Sequence, residues 1–276
     1  MKIFIAICLG MAAINFLIAA VITHFIFRKK EMPAKKKYII QIIVFLSVGL
    51  ILFVGGGAVY FGSYYRANSR GMSFMESDDD VKISEIDKGY FFDGSGDKEA
   101  FIFYPGAKVD PKAYSAILHK LAAGGVDCFL VRMPLNMAML GKDTAGEIIN
   151  SYSYDEWYLG GHSLGGAMAS VYAFEHGDDL DGMVLMAAYT PRDLRDDMKL
   201  ILLAGDKDKV LNWETYKANV GNWPKDTTEY IIKGGNHAGF GDYGVQSGDG
   251  EATISNEEQQ AQSVEQILKM IDVGNE

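Results

Sequence analysis

Trp157-Tyr-Leu-Gly-Gly-His-Ser-Leu-Gly-Gly-Ala-Met-Ala-Ser170 reads as a buried strand, a tight turn and a helix. Apolar Trp157, Tyr158 and Leu159 run in, and a small-residue helix beginning near Ala167 runs out. Between them stands G-x-S-x-G: Gly161, His162, Ser163, Leu164, Gly165. A serine on a sharp strand-to-helix turn has its Oγ pushed out of the fold. Glycines on either side let strand and helix approach where a side chain would collide. Ser163 is therefore the candidate nucleophile. A serine hydroxyl is a weak nucleophile at neutral pH and needs a base, itself oriented by an acid.

Those partners belong in loops that follow strands, because open parallel sheets bind ligands beyond the carboxyl ends of their strands. His119 and His176 fall on expected helices, and His162 belongs to the turn, its ring expected to point away from Ser163. His237 lies in Gly234-Gly-Asn-His-Ala-Gly-Phe-Gly241, just past the last expected strand, and is the candidate base. For the acid, Leu200-Ile-Leu-Leu-Ala-Gly-Asp-Lys-Asp-Lys-Val210 is a strand running into a loop with two aspartates. Asp206 and Asp208 both qualify by position. Either could hold the imidazole tautomer and stabilise its charged form.

Around these landmarks strands and helices alternate. Strands are expected over residues 81–86, 90–92, 100–104, 126–133, 155–160, 182–187, 200–203 and 229–232. Helices are expected over 111–123, 145–151, 164–176 and from a Ser255-Asn-Glu-Glu258 capping box to about 271. Alternation of this kind means an α/β fold: a mostly parallel sheet with helices on both faces. Residues 188–198 could form a small cover. Met133, Leu135, Met137 and Met139 could line the site.

The first 61 residues differ in kind. Residues 3–27 and 38–61 carry no Asp, Glu, Lys or Arg, and each run is long enough to cross a bilayer core as a helix. The triple glycine at 55–57 could let the second helix pack closely or weaken its end. The connector Arg28-Lys-Lys-Glu-Met-Pro-Ala-Lys-Lys-Lys37 holds six basic residues and one acid. Short basic loops stay in the cytoplasm. The expected organisation is a transmembrane hairpin over residues 1–61, a polar tether over 62–80 and a catalytic domain over 81–276. The chain is then a multi-pass protein of the cell membrane with its domain extracytoplasmic.

The 276-residue chain has a formal charge of −10, with 26 Lys/Arg and 36 Asp/Glu. Seven of the bases and one of the acids lie in residues 1–61, which leaves the remainder at −16. That argues against nucleic acid as a partner. Cys8 and Cys128, one in an apolar span and one in a strand, cannot pair. No Cys/His cluster has metal-ligand spacing, so no metal is expected, and a serine nucleophile with its base and acid requires no cofactor.

Residues 81–276 resemble an α/β-hydrolase over nearly their whole length. They are similar to the membrane-anchored, bacterial-type members of that superfamily related to dienelactone hydrolases. The resemblance rests on Tyr-Pro-Gly-Ala at 104–107, Gly-His-Ser-Leu-Gly-Gly at 161–166, Gly-Asp-Lys-Asp-Lys-Val at 205–210 and the glycine-rich loop at 234–244. It implies a Ser163–Asp208–His237 triad, since the family's acid loop usually reads G-x-x-D-x-V, a register that selects Asp208 over Asp206. It also implies an oxyanion site on the backbone amides of Leu164 and Ala107. The family usually presents His-Gly-x where this chain has Pro-Gly-Ala, which matters little for a backbone donor. The implied activity is hydrolysis of a small-molecule ester, lactone or thioester. The alternative is a non-catalytic binding or scaffold protein of the same fold, for which a missing triad member would be the sign.

Overall fold

Charge-free runs give the first two helices, α1 (Lys2–Phe27) and α2 (Ala34–Gly62), in a computed structural model that describes residues 2–28 and 31–272, with side chains from residue 10 onward. The chain divides after Ser63 into two compact units. In the first, α1 and α2 pack on each other at small residues. Ala19 and Val48 are buried, and a Cβ at Gly49 would lie 3.0 Å from the Asn15 amide. Phe16, Leu17 and Phe53 remain exposed, and both helices are long and apolar enough to cross a membrane. The triple glycine neither breaks α2 nor seats a neighbour: a Cβ at 55, 56 or 57 would meet nothing within 4 Å. Lys29 and Lys30 of the basic connector, and the side chain of Cys8, lie outside the described residues.

The second unit is built on an eight-stranded sheet. Its strands are β1 (Lys82–Ile86), β2 (Gly89–Asp93), β3 (Glu99–Tyr104), β4 (Asp127–Val131), β5 (Glu156–His162), β6 (Gly182–Met186), β7 (Lys199–Gly205) and β8 (Thr227–Ile232). Spatial order is β1-β2-β4-β3-β5-β6-β7-β8. The β1–β2 and β2–β4 pairs are antiparallel and every other pair is parallel. The expected strands fall on these eight, and β5 and β7 run further toward the site than the apolar pattern implied.

Side chains alternate across the sheet with the period of a strand. Phe101 and Phe103 face one core, with α4 (Ser115–Ala123) and α8 (Asn256–Ile271), while Ala100, Ile102 and Tyr104 face the other. On that second face lie α5 (Thr144–Ile149), α6 (Leu164–His176) and α7 (Trp213–Ala218). Both cores are dry. Each fully buried Phe or Leu contributes about 1.5–3 kcal/mol. Asp110 accepts the amide of Lys112 to start the turn before α4, with Pro111 in its first position. Ser255 caps α8 through the amide of Glu258 (3.1 Å). The thiol of Cys128 is buried and pushed well up by that burial.

Residues 62–80, expected as a tether, are built into the second unit from Tyr64 onward. Tyr65 exchanges backbone hydrogen bonds with Lys108 and Asp110 (both 2.8 Å). A short helix, α3 (Ser69–Ser73), is capped by Asn68, and the carbonyl of Gly71 accepts from the buried Ser115 hydroxyl. Arg70 Nη1 donates to Asp242 Oδ2 (2.5 Å) and Gln260 Oε1 (2.7 Å). Phe74 and Asp78 both contact His119 on α4. Within this polar segment Arg70 and Asp78 thus find partners far along the sequence.

Candidate active site

The turn after β5 carries Ser163 at φ 54°, ψ −124°, a conformation costly for a residue with a Cβ. Packing imposes it. A Cβ at Gly165 would lie 2.1 Å from the Tyr104 carbonyl oxygen and 2.4 Å from that of Pro105; one at Gly161 would lie 2.4 Å from Tyr104 O. The amide of Ser163 donates to Met186 O on β6 (2.9 Å), which ties the turn to the sheet. A serine preceding a helix ordinarily caps it with its hydroxyl. Here the backbone angles prevent that, and the Ser163 hydroxyl has no hydrogen-bond partner among the described residues.

His237 follows β8. Its Nδ1 lies 2.8 Å from Asp208 Oδ2, and both residues are buried, at 1% and 4% exposure. The other oxygen of Asp208 accepts the amides of Val210 and Leu211, each at 2.8 Å. With its other oxygen engaged by two amides, Asp208 accepts the hydrogen bond from Nδ1–H, which leaves Nε2 as the acceptor. That Nε2 is buried without a partner. Asp206 turns elsewhere. It accepts the amide of Gly234 (2.7 Å), which holds its carboxyl below the usual range and pins the entry to the His237 loop.

Ser163 and His237 open onto one cavity of about 250 Å³, walled by Ala167, Ala187, Ala188, Val210 and Leu211. No hydrogen bond joins Ser163 to His237 directly. The amides of Leu164, first residue of α6, and of Ala107, after β3, also lack acceptors among the described residues. The β3 loop lies against the start of α6, as the Gly165 contacts require.

Several side chains escaped the sequence reading. His162, expected to point away from Ser163, packs its ring against that of His237, with centroids 4.5 Å apart, and pairs through Nδ1 with the Tyr114 hydroxyl (2.8 Å). The same hydroxyl accepts the amide of Gly106 (3.2 Å). Burial, and then the neighbouring His237, push the His162 imidazole well below its ordinary range, so it is neutral near pH 7. Asp249 accepts the amides of Ala238 (2.9 Å) and Lys209 (3.3 Å), bridging the His237 and Asp208 loops. Gln259 on α8 accepts from Asn236 N and donates to Asn236 O. No local motif marks these residues, because each acts over a long sequence separation.

The methionine run is not part of the cavity wall. Met133 belongs to the core, while Leu135 and Met139 are exposed elsewhere, the latter in a separate surface cleft. Residues 188–198 form no helix; Ala188 and Tyr189 reach the cavity and Leu194 and Met198 are core. Asp143, Glu175 and His176 bring ligand atoms within 4.8 Å of one another on the surface, where Lys142 already pairs with both carboxylates.

A profile of the alpha/beta hydrolase family matches residues 100–261, more than half the chain. The chain belongs to the α/β-hydrolase family. This hydrolase is similar in fold to a CIB-like hydrolase from Thermoplasma acidophilum, at 14% identity and TM-score 0.53, over 68% of this chain and 98% of that one. It is similar to Est1E from Butyrivibrio proteoclasticus with bound ferulic acid, at 12% identity and TM-score 0.51, over 72% and 98%. It is similar also to Thermogutta terrifontis esterase 2 phosphoramylated by tabun, at 11% identity and TM-score 0.50, over 72% and 97%. At such identities the likeness is one of fold. No curated protein matches this hydrolase in sequence.

Proposed function

We propose that this α/β-hydrolase is a membrane-anchored serine hydrolase that cleaves ester, lactone or thioester bonds. Ser163 is the nucleophile, His237 the general base and Asp208 the acid that orients it. The observation that carries the reading is the buried Asp208–His237 pair: His237, whose Nε2 is buried without a partner, lines the same cavity as Ser163, whose hydroxyl is also unpartnered. Hydrogen bonds between nucleophile and base are often loose without substrate and tighten when it binds.

In the reaction Ser163 Oγ attacks the carbonyl carbon while its proton passes to His237 Nε2. Asp208 stabilises the resulting imidazolium through Nδ1–H. Charge collects on the former carbonyl oxygen, which the free amides of Leu164 and Ala107 receive; one such donor is worth about 10²–10³ in rate. The tetrahedral intermediate collapses, the alcohol leaves with the proton from His237, and an acyl-Ser163 ester remains. Water, deprotonated by the same imidazole, then releases the acid and restores the serine.

Membrane anchoring by α1 and α2 is supported by their apolar length and by the exposure of their large side chains. The basic connector at 28–37 supports an extracytoplasmic domain. Labelling of a cysteine introduced at Ser63 by an impermeant reagent in intact cells tests that orientation, and protection there reverses it. For the chemistry, the full chain in detergent is treated with a fluorophosphonate and assayed on simple esters beside Ser163→Ala. Labelling confined to Ser163, with a loss of about 10⁴–10⁶ in kcat in the variant, is the expected result. A folded chain that neither labels nor hydrolyses supports the binding or scaffold reading instead.

A further inference from the structure

Ala107, after β3, and Leu164, after the Ser163 turn, carry the two amides assigned to the oxyanion, and one hydroxyl joins their segments. It belongs to Tyr114, the residue before α4, which is 1% exposed. The oxygen accepts the amide of Gly106, next to Ala107 (3.2 Å), and lies 2.8 Å from Nδ1 of His162, next to Ser163. A phenol that accepts a backbone N–H still has its own proton to donate. That proton goes to Nδ1, which leaves the His162 ring proton on Nε2. Burial pushes the Tyr114 hydroxyl above its ordinary range and the His162 imidazole well below its own. Near pH 7 the phenol therefore keeps its proton and the ring stays an acceptor.

Tyr114 is itself held. Its ring packs on that of Phe103 in β3, with centroids 4.9 Å apart. The carbonyl of Ala113 accepts the amide of Asp242 (2.7 Å), and the Ser115 hydroxyl donates to Gly71 O, so the backbone is tied on both sides. The contact with the β3 loop is tight: a Cβ at Gly106 would lie 2.9 Å from the Tyr114 hydroxyl and 2.8 Å from His162 Nδ1. Past Ala107 the loop is held again. The amide of Lys108 donates to Asn136 O (2.8 Å), and Lys108, Leu135 and Asn136 all have left-handed backbone, at φ 56°, 53° and 54°. Residues with a Cβ keep that conformation only where the surroundings enforce it. Among the described residues Ala107 thus carries a free amide between two tied ones.

We propose that Tyr114 is a positioning residue: by bonding Gly106 and His162 at once, its hydroxyl sets the separation of the Ala107 and Leu164 amides. This inference rests on the catalytic reading above. The hydroxyl reaches the reaction only through its two neighbours. Without it, the β3 loop and the nucleophile turn keep their packing at Gly165 but lose the bond that spaces the donors. Donors aimed at an oxyanion act chiefly in the transition state, so the loss falls on kcat rather than KM. A misplacement of about 1 Å can cost about 10²-fold.

The test uses the full chain in detergent and Tyr114→Phe, which keeps the ring and removes the hydroxyl. On a simple ester, kcat is expressed per site titrated to completion with a fluorophosphonate, so that unfolded molecules do not count. It is expected to fall about tenfold or more, with KM within about threefold of the parent. The Ki of a trifluoromethyl ketone, which forms a tetrahedral oxyanion on the serine, is expected to rise by a similar factor. A tyrosine that only supported the fold would lower the thermal midpoint and the titrated fraction and leave these per-site constants unchanged. A smaller fall in kcat, or a loss expressed in KM instead, overturns the proposal and leaves the catalytic reading intact. If Tyr114→Phe does not fold, Gly106→Ala, whose methyl wedges the same contact, carries the same expectation and the same refutation. A parent chain that neither labels nor hydrolyses removes the catalytic reading, and this inference with it.

Discussion

Ser163 and His237 open onto the same cavity, but different kinds of structure hold them. The Ser163 turn is held by backbone packing: its glycines sit against the carbonyls at the end of β3, and its amide bonds to β6. Gly161 and Gly165 admit the backbone, and the Met186 carbonyl fixes it. The His237 loop is held from far away. Asp208 takes its Nδ1, Asp249 bridges to the Asp208 loop, and Gln259 grips Asn236. Asp242, five residues on, is tied to Arg70 and to the amide of Asn68, in the segment that follows α2. A nucleophile set by backbone sterics tolerates side-chain changes elsewhere; a base set by side-chain polar bonds depends on segments that have no chemistry of their own.

The largest expected effect separates the two aspartates. Asp208→Asn should lower kcat by about 10⁴-fold, because an amide facing Nδ1 favours the wrong tautomer. Asp206→Asn keeps an acceptor for Gly234 N and should stay within a few-fold of the parent. Steady-state kinetics of both variants on one ester decide, and the reverse pattern would return the role to Asp206.

Next comes the turn itself. Gly165→Val drives side-chain carbons into the carbonyls of Tyr104 and Pro105, which cannot move without dismantling β3. A loss of about 3 kcal/mol is expected, read as a lower thermal midpoint together with lost fluorophosphonate labelling. A variant of parental stability and labelling would show that the turn is not held by steric closure.

Arg70→Met probes the distant support. It strips a buried carboxylate of its cation, and at a site where the arginine is partly exposed the cost should be about 2–3 kcal/mol. Hydrogen exchange should speed up over residues 238–249 and stay unchanged over 157–170. Uniform acceleration of both stretches would erase the distinction between them.

The smallest effect concerns His162. Its folded imidazole titrates below its ordinary value near 6.5, so between those two values the unfolded chain binds the extra proton. Stability should therefore be fully present above pH 6.5 and fall as pH drops below it, by about 1.4 kcal/mol per pH unit. His162→Phe should flatten that limb. Thermal midpoints from pH 7.5 to 5 give the comparison, and an unchanged slope in the variant would place the sensitivity elsewhere.

The elements and the candidate site residues are legible in the sequence for a physical reason. Strand and helix periodicities, a serine between glycines, and a histidine and an aspartate just past apolar runs are all local patterns. So were the charge-free lengths of the first two helices and the Ser255 cap. Residues 62–80 were misleading, because a polar segment looks the same whether water or protein satisfies it. Arg70, Asp78 and Asn68 bind groups that only the folded sheet brings near. The ring of His162 likewise could not be placed from its neighbours in the chain, since Tyr114 and His237 are 48 and 75 positions away.

By itself, then, the sequence determined the alternation that builds the sheet, the turn that exposes Ser163 and the loops that could supply its partners, because each follows from sterics and periodicity over a few residues. Tertiary structure decided which aspartate reaches His237, which residues wall the cavity, how small that cavity is, and that the segment after α2 is part of the domain. Those outcomes depend on distances between groups separated along the chain, and such distances exist only once the two cores have closed.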